Sequence, residues 1–275
     1  MAVRGTIGPG SMLMTHEFRL YGHRGCSAHL PENTIESFRR ALDDGANALE
    51  LDIHRTRDRH YVVSHDPNGM RTAGKAERIR SCSLAEVLRW DVGTGFVDSH
   101  GERPYVGRGF RIPLLEEVLE RFPDVPLSID LKARDVSEVE PALDLVAACG
   151  AEGRVTLASF HHRVLTAVHR SGFSGRIALG RREVAALRVL PLPAARLLVR
   201  GHAAQIPVVS GFFRLDTPRF VRRCRRLGIR LDYWVINRPE QAAALIELGA
   251  TGVMSDDPGL ILAGSGLQTR TAGSA

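Results

Sequence analysis

The sequence predicts an α/β protein, a (β/α)8 TIM barrel with a long insertion after the second strand. Three observations carry that expectation. Short β-like runs alternate with helical ones along the chain. The alternation makes eight strand–helix units in about 250 residues, the size of one barrel domain. No G-x-G-x-x-G follows any strand, as a dinucleotide-binding open sheet would require. The barrel is expected over 18–263, with the insertion at about 66–111. A flexible leader is expected at 1–17 and a disordered tail at 264–275.

The first strand is the brief apolar run Arg19–Gly22. A loop follows, and from Thr34 the apolar residues Ile35, Phe38, Ala41 and Leu42 recur at helical spacing. Asn33 or Thr34 can cap that helix, and Gly45 stops it. Ala48–Ile53 is the second strand, and Tyr61–Ser64 reads as a hairpin return attached to it. The stretch from Asp66 to Arg111 is irregular, with one short helical segment at Leu84–Arg89. Loops of that length in compact domains are commonly lids or binding loops. Six further β-like runs follow: Pro126–Leu131, Arg154–Ser159, Arg176–Leu179, Ile206–Ser210, Arg230–Ile236 and Gly252–Ser255. Helical stretches at Ser137–Cys149, Arg163–Arg170, Thr217–Leu227 and Pro239–Leu248 lie between them.

The chain has 275 residues, 44% hydrophobic and 25% charged, which excludes disordered and fibrous classes. Lys+Arg 37 against Asp+Glu 31 leaves a net charge of +6, a balance that attracts phosphate-bearing partners without choosing among them. The four cysteines, Cys26, Cys82, Cys149 and Cys224, have neither C-x-x-C nor zinc spacing, so reduced thiols in a cytoplasmic protein are expected. No apolar run is long enough to span a membrane. Arg222–Arg226 reads as a solvated basic helix face without the aromatic interleaving that nucleic-acid binding favours. His161–His162 reads as a solvated loop pair.

Barrel chemistry sits at the C-terminal ends of the strands. There the chain places Gly22-His23-Arg24-Gly25, Glu50-Leu51-Asp52, His65-Asp66 and Asp130-Leu131-Lys132. Strand residues alternate faces, so Glu50 and Asp52 point one way, as do Asp130 and Lys132. Inward carboxylates are costly unless paired or bound to a cation, and hard oxygen donors suit Mg²⁺ or Ca²⁺. A cation, two imidazoles, an arginine and a lysine in one mouth suit cleavage of a phosphate ester.

His23-Arg24-Gly25, Pro31-Glu32-Asn33-Thr34, Glu50-Leu51-Asp52 and His65-Asp66-Pro67 together resemble the signature of the glycerophosphodiester phosphodiesterase family. Asp130-Leu131-Lys132, Tyr233-Trp234-Val235-Ile236-Asn237 and the segment from Gly249 to Pro258 continue the resemblance in matching order. It implies a hydrolase that converts glycerophosphodiesters to glycerol 3-phosphate and an alcohol. It implies His23 and His65 as the catalytic pair and Glu50, Asp52 and Asp130 as ligands of a divalent cation. Arg24 and Lys132 would contact the phosphate, and Trp234 would pack against the glycerol or the departing group. Glu32 would be a carboxylate beside the site, or alternatively a helix cap.

Asp130 departs from the glutamate usual in these phosphodiesterases, retracting the carboxylate by roughly 1.5 Å. The related sphingomyelinase-D-like phospholipases commonly have aspartate there. The alternative is therefore a phospholipase-D-like enzyme acting on lysophospholipids or sphingomyelin, and an apolar groove in the 66–111 stretch would favour it. Without metal, Glu50 and Asp52 could pair with basic residues, and Asp130 with Lys132. A non-enzymatic phosphate-binding or nucleic-acid-binding barrel is the third reading, and the intact histidine and carboxylate set argues against it. Cys26 is expected to be a bystander.

Overall fold

The computed structural model describes residues 16–267. Of the expected leader at 1–17 and tail at 264–275, residues 1–15 and 268–275 lie outside the described residues. Eight parallel strands form the barrel: β1 (Arg19–His23), β2 (Ala48–Arg55), β3 (Leu127–Leu131), β4 (Val155–Ala158), β5 (Arg176–Ile177), β6 (Ala203–Pro207), β7 (Arg230–Trp234) and β8 (Gly252–Ser255). They run in the order β5-β4-β3-β2-β1-β8-β7-β6. The parallel bridge between Ala178 and Ala203 spans the remaining gap. Tyr61–Val63 pairs antiparallel with the end of β2, the expected hairpin return.

Helices sheathe the strands. In α1 (Ile35–Asp43), Thr34 accepts the Ser37 backbone N–H, and Ile35, Phe38 and Ala41 are buried on one face. The sheath also contains α2 (Leu115–Arg121), α3 (Val139–Ala148), α4 (His162–Arg170), α5 (Arg181–Val189), α6 (Pro218–Arg226), α7 (Pro239–Leu248) and α8 (Pro258–Ser265). Two large apolar clusters lie between strands and helices. The cluster on the inward positions is small: Tyr21, Ala48 and Met254, with Trp234 against them. Apolar burial therefore holds the sheath together and leaves inward strand positions available for polar side chains.

At the N-terminal end of the strands, inward polar groups are matched to one another. The fully buried Asp232 accepts from Arg230 at 3.1 Å, from Tyr21 Oη at 3.0 Å and from Thr251 Oγ1 at 3.0 Å. A Cβ on Gly252 would come within 2.7 Å of Asp232 Oδ1, so only glycine fits beside that network.

Several expectations change. The 66–111 stretch has its own apolar cluster around Ile79, Val87, Trp90 and Val92, packed on Val62 and Ile112. It includes a two-stranded sheet, Asn68–Gly69 with Lys75–Arg78. The strand expected at Ile206–Ser210 is β6, three residues earlier, and Val209–Ser210 instead pairs with Phe213–Arg214 in a separate hairpin. Helix α5 and a second helix, Leu192–Leu198, fill the β5–β6 connection, where no helix was expected. The final helix extends to Ser265, into the expected tail. Arg222, Arg225 and Arg226 are exposed, but Arg223 is buried and donates to the Leu190 carbonyl.

Candidate active site

The C-terminal ends of the strands surround a cavity of about 590 Å³. His23, Arg24, Glu50, Asp52, His65, Asp130, Lys132 and Trp234 all line it. Register explains the convergence: His23 on β1 pairs with Glu50 on β2, and Asp52 pairs with Asp130 on β3. Glu32, the remaining predicted residue, stands behind this group. Its carboxylate accepts from Arg24 at 3.2 Å and from Arg71 at 2.6 and 2.7 Å. Thr34 caps α1, so Glu32 braces Arg24 and is not the helix cap.

Both histidines are held through Nδ1. His23 Nδ1 lies 2.7 Å from Asp256 Oδ1, and His65 Nδ1 lies 2.8 Å from Asp66 Oδ1. Nε2 of His23 faces Glu50 at 3.9 Å. Burial disfavours the His23 cation, but the Asp256 bond and the Glu50 charge outweigh it and raise its pKa. Asn237 Nδ2 and Ser27 Oγ also donate to Asp256, at 2.7 and 2.8 Å. A carboxylate fixing imidazole orientation through Nδ1 is what proton transfer at Nε2 requires.

Arg24 adopts a left-handed backbone with φ of 56°, and its amide donates to Glu50 Oε2 at 3.2 Å. Gly25 follows at φ +90°, and a Cβ there would sit 2.4 Å from Ser37 Oγ. The His-Arg-Gly turn thus requires its glycine for close approach to α1 as well as for backbone conformation.

Two buried carboxylates and two part-buried cations meet at the floor. Lys132 Nζ lies 2.6 Å from Asp130 Oδ2 and 2.8 Å from Asp52 Oδ1, and Arg24 Nε lies 3.3 Å from Asp52 Oδ2. Burial would raise the Asp52 carboxyl, but Lys132 and Arg24 bring it below its usual value. Glu50 faces only the His23 imidazole, at 3.9 Å, and the Arg24 amide. Burial, and then the charge of Asp52, push it up to about 8. Asp130 Oδ1 is buried without a hydrogen-bond partner. Burial raises Asp130 as well, so Glu50 and Asp130 are carboxyls whose charged forms lack full compensation, the hard oxygen donors that a divalent cation would stabilise. In this arrangement Lys132 occupies the space between Asp52 and Asp130.

Among the described residues, the metal-ligating atoms within 4.8 Å of one another belong to Cys26, His29 and Asp257. That group is satisfied internally: His29 Nε2 is 2.8 Å from Asp257 Oδ2, and burial pushes the Cys26 thiol up to about 12. All four cysteines are free, and burial favours the thiol form of Cys26 over the thiolate.

A model of the glycerophosphoryl diester phosphodiesterase family matches residues 23–260. The chain belongs to this family. The glycerophosphodiester phosphodiesterase of Caldanaerobacter subterraneus subsp. tengcongensis is 30% identical over 244 residues, covering 86% of this chain and 93% of the relative. A Homo sapiens lysophospholipase D is 28% identical over 263 residues, covering 86% and 82%. A solved structure from Silicibacter pomeroyi DSS-3, provisionally named a glycerophosphoryl diester phosphodiesterase, superposes with a TM-score of 0.76 at 26% identity, covering 93% and 96%. Membership makes the chain a phosphoric diester hydrolase of a family that is generally metal-dependent. The phosphodiesterase and phospholipase-D-like readings fall within that one family.

Two functional partners escaped sequence reading. Asp256 lies 233 positions from the histidine it holds, although it continues the inward phase of Met254 at the end of β8. Asp66 was visible beside His65, but nothing in the sequence indicated that it would bond to that ring.

Proposed function

We propose that the chain hydrolyses glycerophosphodiesters to glycerol 3-phosphate and an alcohol, using His23 and His65 as the proton-transferring pair. Water adds to phosphorus, and the phosphorus–oxygen bond to the alcohol breaks. One imidazole accepts the water proton, and the other gives a proton to the departing oxygen. Arg24 and Lys132 hold the phosphoryl oxygens, with Glu32 bracing Arg24. Trp234 offers its ring to the glycerol or the leaving group. Glu50, Asp52 and Asp130 would hold Mg²⁺ or Ca²⁺, which when bound supplies positive charge to the phosphoryl group.

The observation that carries this reading is the convergence on one cavity of two histidines, each held by a carboxylate at Nδ1, with Arg24 and Lys132 beside them. The substrate is a small molecule, and neither nucleic acid nor membrane insertion enters the reading. Among the described residues no helix is long and apolar enough to cross a membrane. The four free cysteines support a reducing, cytoplasmic setting.

The test is release of glycerol 3-phosphate from glycerophosphocholine or glycerophosphoethanolamine, and its arrest by EDTA. His23→Ala and His65→Ala are each expected to lower kcat by about 10²–10⁴-fold. Full activity in either variant overturns the mechanism.

A further inference from the structure

No residue of the 66–111 stretch lines the catalytic cavity, so no groove of that stretch forms part of it. The stretch nevertheless reaches two arms of the site through one side chain. Arg71 Nε donates to Asp66 Oδ2 at 2.7 Å, and Asp66 Oδ1 holds His65. Arg71 Nη1 and Nη2 donate to the two Glu32 oxygens at 2.6 and 2.7 Å, and Glu32 Oε1 also holds Arg24. The bonds therefore run unbroken from His65 through Asp66, Arg71 and Glu32 to Arg24. The rest of the stretch fixes where that guanidinium stands. Arg71 lies on the short helix Met70–Ala73. A Cβ on Gly69, just before it, would come within 2.7 Å of the Trp90 ring. A Cβ on Gly95 would collide with the Arg71 carbonyl. The helix is thus seated directly on the Trp90 cluster and on the Val92–Gly95 turn.

We propose that Arg71 is a positioning residue for the hydrolysis, and that the 66–111 stretch serves to hold its guanidinium as a common brace for His65 and Arg24. This rests on the phosphodiesterase reading above, in which His65 moves a proton and Arg24 holds the phosphoryl group. An isolated, half-exposed ion pair would contribute little. Here one planar fork meets three carboxylate oxygens, which gives direction as well as attraction. Asp66 turns one oxygen to the fork and the other to His65. Glu32 turns both oxygens to the fork and shares one of them with Arg24. Loss of Arg71 therefore releases the proton-transferring arm and the phosphate-holding arm together. A residue that only anchored the stretch would change stability and leave kcat and KM alone.

The test is steady-state kinetics on glycerophosphocholine, with a melting temperature for every variant. It uses the full chain loaded with whichever of Mg²⁺ and Ca²⁺ gives the higher turnover. Arg71→Met should lower kcat and raise KM, each about tenfold. Glu32→Gln alone should raise KM about tenfold. Added to Arg71→Met it should change KM less than about twofold, because the arm it supports is already released. Arg71→Lys keeps the charge and loses the planar fork. Its melting temperature should stay near that of the wild type while kcat/KM remains about tenfold low. Arg78→Met, on the same stretch and outside the bonded chain, should leave kcat and KM unchanged. Wild-type kcat and KM in Arg71→Met or in Arg71→Lys overturn the proposal. So do KM effects of Glu32→Gln and Arg71→Met that multiply, or an equal defect in Arg78→Met. If Arg71→Met does not fold, Arg71→Lys decides by the same measure. A wild type that turns over no glycerophosphodiester removes the phosphodiesterase reading and this inference with it. An active wild type with unchanged variants removes this inference alone.

Discussion

His23 and Asp256 come from opposite ends of the barrel sequence, 233 positions apart, and meet at 2.7 Å between Nδ1 and Oδ1. The contact exists because β1 and β8 are neighbours in register, with Gly22 paired to Ser255. It fixes which imidazole nitrogen faces the cavity. Asp256→Asn should therefore lower kcat about 10- to 100-fold with little change in KM, as loss of a group that orients a catalytic histidine does. Steady-state kinetics on glycerophosphocholine reads this directly, and an unchanged kcat rejects it.

The same pair sets a pH window for stability. Burial alone would raise the Asp256 carboxyl, but the bond to His23 brings it from 3.8 down to about 2. A depressed carboxyl stabilises the fold above its unfolded value and ceases to do so as pH falls through its folded value. His23 is raised above 6.5, so its contribution is complete below that value and is lost as pH rises through the higher folded one. The stability gap between wild type and Asp256→Asn should be widest between about pH 4 and 6.5 and close on both sides. Urea unfolding of the metal-free proteins measures it, and a gap that stays constant across pH counts against the pairing.

Lys132 neutralises two buried carboxylates at once. In EDTA, Lys132→Met should destabilise the protein by about 3–5 kcal/mol, because Asp130 is left unpaired and Asp52 keeps only Arg24. Added Mg²⁺ or Ca²⁺ should then raise the melting temperature of the variant more than that of the wild type. Equal melting temperatures in EDTA would sink this account of the floor.

Arg230 and Asp232 are both buried at the other end of the barrel. Arg230→Met should lose about 3–5 kcal/mol by leaving Asp232 charged and unpaired, and Arg230→Met with Asp232→Leu should recover most of that. Denaturant midpoints for the single and double variants decide it. A double variant no better than the single shows that packing, not charge, is at stake.

Gly25→Ala should cost about 1–3 kcal/mol, since a Cβ at φ +90° would press on Ser37. It should also raise KM by displacing Arg24. A stable variant with wild-type KM rejects the close approach as a determinant of the turn.

Much of this molecule is legible in its sequence for a physical reason. Parallel strands with alternating inward residues leave a period-2 pattern, and Glu50, Asp52, Asp130 and Lys132 show it locally. Helices α1, α3 and α7 present apolar stripes that need no tertiary knowledge. What eluded reading was non-local or masked. The Asp256 partnership depends on barrel closure. β6 opens with the small residues Ala203 and Ala204, while the more apolar run from Ile206 to Val209 begins at its end and passes into the hairpin. Helix α5 opens with Arg181 and Arg182 and buries only Ala186 and Leu187, so its stripe is thin. The cluster around Trp90 is assembled from short pieces spread across the 66–111 stretch, too scattered for any single period.

The buried Arg230–Asp232–Tyr21 network closes the barrel at the end away from the histidines. The proposed catalytic chamber is thus a vessel closed at that end. Both products must leave by the route the substrate took to enter, and whichever leaves last blocks the doorway the next substrate needs. Turnover in such a vessel is governed by the order of departure, and the slower product should inhibit in strict competition with substrate.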